Sequence, residues 1–271
     1  MIALATVLSM LKLAEMPYGG SITFASMLPM IIVSYRYGIY CGLGAGAVFA
    51  SIQQLLGLNN LSYVTGWQSV LAVIVLDYMF AFMAVCLGGI FRGKLKGGKT
   101  PGFSQSRELM LGGLLVCVVR YVFHTVAGAT VWAGLSIPTE AALIYSIGYN
   151  ATYMIPETIV TVLIALYLGE IIDFRKPLPK RFGIIPRGES GLNLFAEISP
   201  YVSALIMLAA LITDAVLILP HLQDADSGEF TFACLSEVNW IAVIIMSSVS
   251  AVLAIALIVY SKIAKNKKTK A

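Results

Sequence analysis

The sequence predicts an all-α integral membrane protein, a six-helix membrane bundle followed by a two-helix transmembrane hairpin. Three observations predict it. The chain of 271 residues is 59% hydrophobic and 12% charged, with mean hydropathy +0.87, a composition that excludes a soluble domain. Most of its apolar runs are long enough to cross a bilayer. Its lysines and arginines gather in alternate connections, as the positive-inside rule requires of successive spans.

The expected spans are Met1–Leu13, Ser21–Tyr35, Gly38–Leu56, Ser69–Phe91, Leu109–Trp132 and Thr139–Ile172, then Ile198–Leu219 and Trp240–Ile263. Met1–Leu13 is too short to cross alone, so either the true start lies upstream or the sequence begins inside the first helix. It lacks the basic start and cleavage site of a signal peptide. Arg36 follows the second span, and Arg92, Lys94, Lys96, Lys99 and Arg107 follow the fourth. Arg175, Lys176, Lys180, Arg181 and Arg187 follow the sixth, and Lys262, Lys265, Lys267, Lys268 and Lys270 form the tail. The other side holds Lys12 among Glu15, Glu140, Asp224, Asp226, Glu229 and Glu237. This places the protein in the cell membrane with both termini cytoplasmic. The basic runs set topology and imply no nucleic-acid partner. The segment Pro177–Pro200, rich in proline and glycine, is the one clear boundary. It divides the chain into a six-span domain (1–176), a cytoplasmic linker (177–197) and a hairpin with a basic tail (198–271). Cys41, Cys86, Cys117 and Cys234 have no paired spacing; three lie in or at the edge of apolar spans as small apolar residues, and no disulfide or metal site is expected.

Candidate functional residues come from depth. Asp77 is the one charge in the fourth span, where an ionisable residue marks a functional site by default. It lies about 12 Å below Ser69 at the helical rise. His124 lies about 12 Å below Trp132, and Asn150 about 16 Å below Thr139. Three polar side chains on three helices therefore share the outer half of the membrane. Arg120, His124, Gly128 and Trp132 follow at i, i+4, i+8 and i+12 and form one stripe. Gly128 opens a gap between imidazole and indole that suits a flat cationic ring, or else lets another helix approach. Arg120 and Glu157 reach similar depth on neighbouring spans and are expected to pair beneath the site, since buried charges need partners. That pairing leaves Asp77 for a cationic ligand; an Asp77–Arg120 helix lock is the alternative. Tyr18, Tyr63, Trp67, Trp132 and Tyr145 lie toward the outer face, where aromatic belts form. Tyr18-Gly19-Gly20-Ser21 reads as a flexible turn able to cover a cavity.

The segments MPYGGSITFASMLPMIIVSYRYG (Met16–Gly38), LDY (Leu76–Tyr78), RYVFHTVAGATVW (Arg120–Trp132) and YSIGYN (Tyr145–Asn150) resemble the thiamine-specific substrate-binding subunits (ThiT/YuaJ-like S-components) of energy-coupling factor transporters. The resemblance covers residues 1 to about 176 in order, spacing and placement. It implies a six-helix S-component with the vitamin bound near the outer face. Asp77 then stands where the family uses an acid toward the aminopyrimidine, followed by Tyr78. His124 and Trp132 match the aromatic pair that holds the ligand rings, and Tyr145 and Asn150 match polar residues of the sixth helix. A member of the family carries glutamate at the Asp77 position, one methylene longer, and a tryptophan near Gly20, for which Trp67 or Tyr18 stands in here. The family's Ala-x-x-x-Ala docking face keeps its second alanine at Ala5 and has Met1 at the first. The hairpin 198–263 lies outside the resemblance.

The resemblance implies ATP-driven thiamine uptake. A membrane coupling subunit and two ATPase subunits are the expected partners, with no cofactor and no catalytic residue in this chain. No GxxxxGK[ST] run is present, and no nucleophile triad or metal-ligand cluster marks an enzyme. Ala3, Ala5, Gly42, Gly44 and Gly46 offer a smooth face for docking, or ordinary helix packing. The alternative is a cation- or proton-coupled secondary transporter using Asp77, Arg120, Glu157 and Asp214 as a charge relay; the lack of repeats weighs against it.

Overall fold

The structure, a computed structural model, describes residues 1–16, 20–64, 66–95, 101–132 and 142–182, then position 199, scattered positions between 202 and 221, and residues 233–269. The described residues divide into two compact units, Met1–Phe182 and the described positions from 199 onward. Among them, five helices are long and apolar enough to cross a membrane, so the all-α membrane class stands. Tyr18, Gly19, linker residues 183–197, most of the expected seventh span and the connection 222–232 lie outside the described residues.

The first unit opens with α1 (Ile2–Met10) and a two-stranded antiparallel hairpin, β1 (Lys12–Glu15) and β2 (Ser21–Thr23). This corrects two expected spans, because the end of Met1–Leu13 and the start of Ser21–Tyr35 are strand. The physical reason is local. Ile22 and Thr23 are β-branched and favour extended backbone, and the Met16 amide donates to the Gly20 carbonyl at 2.6 Å to hold the reversal. The next helix, α2 (Leu28–Tyr37), begins only after Ala25, whose φ of +53° turns the chain. At ten residues α2 is too short to span a bilayer, yet most of it is buried.

Next come α3 (Ile39–Leu56) and a 3₁₀ segment, Leu58–Tyr63. The fourth helix, α4 (Trp67–Gly89), is irregular. Regular turns at Trp67–Ala72 widen to π-helical turns over Val73–Phe80 and tighten to 3₁₀ turns over Ala84–Gly89. Two long helices, α5 (Pro101–Thr130) and α6 (Ala142–Ile171), complete the frame. The chain then makes a short pair, β3 (Ile172–Asp173) with β4 (Lys180–Arg181), and the Phe182 amide donates to the Ile171 carbonyl. Lys180 to Phe182, expected in the linker, therefore fold back on the end of α6.

Glycine sets how closely these helices approach, as small residues do inside membranes. A Cβ on Gly112 of α5 would sit 2.1 Å from the Gly88 carbonyl oxygen of α4. On Gly42 it would meet Ser34 of α2 at 2.7 Å, and on Gly46 it would meet Val85 at 2.8 Å. Gly42 and Gly46 thus belong to the interior of the unit, while Gly44 faces open space. Ala5 is buried and Ala3 is exposed, so the small residues expected on one docking face divide between two sides.

Where α2 ends, Glu108 is wholly buried and gathers four elements. Its carboxylate accepts from Tyr35 Oη at 2.6 Å, Arg175 at 2.9 Å and the Gly93 amide at 3.0 Å. Beside it the Gln105 amide donates to the Gly169 carbonyl and accepts from the Phe174 amide. A carboxylate so enclosed needs those donors.

In the second unit, α7 (Trp240–Thr269) is the long helix. The Asn239 side chain caps it through the Ala242 amide, and Trp240 Nε1 donates to the Leu235 carbonyl. Ser247 on α7 donates to Asp214. The other Asp214 oxygen is buried with no partner among the described residues.

Replacing Gly112 by valine forces the Gly88 backbone aside and should lower stability by about 1–3 kcal/mol, the usual range for overpacking. Gly44→Ala should stay within about 0.5 kcal/mol of the parent. Melting of detergent-solubilised protein, followed by size-exclusion recovery after heating, compares the two; equal melting would contradict the packing described.

Candidate functional site

One cavity of about 580 Å³ opens within the first unit, inside the size range of small-molecule sites. Its floor comes from the middle of α4, α5 and α6, and its rim from β1, β2, the end of α3 and the 3₁₀ segment. Asp77, Tyr78 and Phe82 reach it from α4, and Arg120, His124 and Gly128 from α5, with Trp132 just beyond. Tyr149, Asn150 and Tyr153 reach it from α6.

The shape of α4 explains how neighbouring residues share one cavity. Asp77 and Tyr78 lie in the wide π-helical stretch, and such turns occur often at functional sites. Tyr78 Oη accepts from Asn60 at 3.2 Å and lies 3.3 Å from the Gly57 carbonyl oxygen, to which it donates. A Cβ on Gly57 would stand 2.1 Å from that hydroxyl and displace it.

Asp77 is held on both oxygens. His124 Nδ1 lies 2.9 Å from Oδ1, and Trp132 Nε1 donates to Oδ2 at 2.8 Å. Each oxygen has two lone-pair sites, so one on each remains for a further donor. Arg120 does not lock onto Asp77. Its Nη1 donates to Glu157 Oε2 at 2.9 Å, and its Nε donates to His124 Nε2 at 3.2 Å. Arg120 is 8% exposed and Glu157 2%, so the pair is largely withdrawn from solvent. Thr23 of β2 donates to the second Glu157 oxygen at 2.7 Å. The guanidinium also lies over the Phe82 ring, 4.6 Å from its centre.

Asn150 is buried in a network of its own. Its amide nitrogen donates to the Ser146 and His124 carbonyls, and its oxygen accepts from Tyr153 Oη at 2.6 Å. Tyr153 stands edge-on to His124, ring centres 6.4 Å apart. Gly20 in the hairpin passes directly over Tyr153, where a Cβ would meet the ring at 2.8 Å.

Other expected residues sit elsewhere. Tyr145 does not line the cavity but packs behind Trp132 with Val64 and Val73. Trp67 is 74% exposed at the start of α4 and stays outside the cavity. Tyr18 lies outside the described residues. Sequence reasoning missed Thr23, Asn60, Phe82, Tyr149 and Tyr153. Tyr153 had a signal: Asn150, Tyr153 and Glu157 follow at i, i+3 and i+7 on one helical face. Thr23 and Asn60 had none, because they reach the site from short non-helical segments. Among the described residues, no three His, Cys, Asp or Glu side chains group as a metal site.

The fold and the site define a multi-pass helical membrane protein with a ligand-sized cavity, one carboxylate displayed among aromatic rings. The chain belongs to the thiamine transporter protein family (Thia_YuaJ), whose profile matches residues 1–173. It is similar to the thiamine transporter ThiT of Bacillus subtilis (strain 168), 31% identical over 160 residues, which cover 57% of this chain and 77% of that protein. The family match ends just after α6, so the second unit lies beyond it.

Removing one member of the buried ion pair should be costly. Arg120→Met strands the Glu157 carboxylate and should destabilise by about 3–5 kcal/mol, whereas Arg120→Met/Glu157→Leu should recover most of the loss. Melting temperatures of the parent, the single and the double variant measure this; a double variant no better than the single would contradict it.

Proposed function

We propose that this chain binds thiamine in the Asp77 cavity and serves as the S-component of an ATP-driven energy-coupling factor transporter. The observation that carries the reading is the carboxylate of Asp77, held by His124 and Trp132 and facing a cavity of about 580 Å³ while Arg120 is engaged by Glu157. Thiamine is a flat aromatic cation with an aminopyrimidine and a thiazolium ring. An acid suits its donors and its charge, and the ring faces of Trp132 and His124 suit a cationic heterocycle. Family membership supports thiamine uptake.

In this reading Asp77, Tyr78, His124, Trp132 and Asn150 contact the vitamin. Tyr145 acts through Trp132, and Trp67 and Tyr18 have no assigned contact. The cavity opens to the outer face and both termini are cytoplasmic, as the distribution of lysine and arginine supports. The first unit docks on a membrane coupling subunit served by two ATPase subunits, and this chain has no catalytic role. The rival secondary transporter needs a relay from Asp77 to Asp214. Asp77, His124, Arg120 and Glu157 form a chain within the first unit, and Asp214 of the second unit accepts from Ser247.

Thiamine titrated into purified protein should quench tryptophan fluorescence at micromolar concentration, with Trp132 the reporter. Asp77→Asn should weaken binding by about tenfold or more, the loss of one charge-assisted contact. Unquenched emission with intact protein would remove thiamine as the ligand. Uptake that outlasts loss of the ATPase subunits and collapses with the proton gradient would favour the rival.

A further inference from the structure

The hydrogen bonds around His124 have a fixed polarity. Arg120 Nε is a donor that never loses its proton, and it points at His124 Nε2 from 3.2 Å. That nitrogen must therefore accept. The ring's proton is left on Nδ1, where Asp77 Oδ1 lies 2.9 Å away. A proton on Nε2 would face the guanidinium N–H and break the contact. We propose that Arg120 is a positioning residue that holds His124 as the neutral Nδ1–H tautomer, so that Asp77 alone gives the cavity its net charge.

The charged and titratable groups that face His124 are Asp77 and Tyr78 from α4, Arg120 from its own helix, and Tyr149, Tyr153 and Glu157 from α6, with Lys12 and Glu15 of β1 on the same cavity. Arg120 is cancelled by Glu157, and Lys12 by Glu15, which it meets at 2.5 Å. With His124 neutral, the site carries the single negative charge of Asp77. An imidazolium would instead pair with Asp77 and cancel it, and the cavity would no longer attract a monocation. Arg120 thereby sets which ligands the site favours: one fixed positive charge matches, while an uncharged or phosphorylated analogue does not. This consequence rests on the thiamine reading; the tautomer rests on the geometry alone.

The chain has two histidines, so His221→Gln leaves His124 as the sole source of imidazole signals. In ligand-free full-length protein labelled with ¹⁵N-histidine, at neutral pH, His124 should show a protonated Nδ1 and an unprotonated Nε2. Arg120→Lys keeps a charge for Glu157 but has no Nε–H aimed at the ring. Arg120→Gln/Glu157→Gln removes both charges together, which guards against an unpaired buried ion. In each folded variant Nε2 is released from its donor, and signals of a protonated Nε2 should appear. Thiamine affinity at the same pH should fall by about tenfold, as for loss of a charge-assisted contact. Two protonated nitrogens in the parent, a protonated Nε2, or a parent-like pattern in both variants would overturn the proposal. A parent with the expected tautomer that binds no thiamine would sink the ligand reading and leave the role of Arg120 standing.

Discussion

Two opposite charges inside an apolar bundle have to meet, and the contact between Arg120 and Glu157 constrains everything polar around it. Either ion alone in that interior would be prohibitive. The pair ties α5 to α6, and Thr23 brings the hairpin to the same carboxylate. With Nη1 committed to Glu157, the Nε–H of Arg120 is directed along its own helix to His124. The imidazole is thereby set to face Asp77, and Asp77 is set to receive Trp132. A contact made for electrostatic necessity orders a cavity wall reaching about three turns beyond it.

The unit keeps its two kinds of interior apart. Gly88 and Gly112 let α4 and α5 touch backbone to backbone, and apolar packing there asks for little besides small residues. Around the cavity the space is lined by groups that hydrogen-bond to one another. Glu108 repeats the pattern at the end of α2, but it is wholly buried and its oxygens accept from Tyr35, Arg175 and Gly93. Asp77 differs by facing open volume with lone pairs to spare, which is why it and not Glu108 reads as a site.

Much of this was legible in the sequence because helices are regular. A rise of 1.5 Å per residue converts distance from a span edge into depth, so Asp77, His124 and Asn150 could be brought to one level before any coordinates. The same reasoning brought Arg120 to Glu157, and their side chains meet at 2.9 Å. The hairpin was not legible. Strands of three and four residues show too little alternation to register, and Ile22 and Thr23 sit in a run apolar enough to pass for helix. Aromatic residues near the interface were also ambiguous, since the same types anchor helices and line cavities. Thus Tyr145 packs behind Trp132, and Trp67 stands in the open. The small residues near the start of the chain looked like one surface, but only spatial neighbours reveal that Gly42 and Gly46 face inward.

The widened turns of α4 have a consequence for how the sequence can change. A π-helical stretch holds one residue more than an α-helix of the same span. Deleting one residue within Val73–Phe80 would restore α-helical turns over the same span, leaving both ends of α4 in place while changing which side chains of the stretch face the cavity. The inner end would keep its seat, because Gly88 is fixed against Gly112 and Ile31. The stretch that carries the carboxylate is thus a splice in the helix, where chain length can vary and the lining of the cavity can be re-aimed without dismantling the bundle beneath.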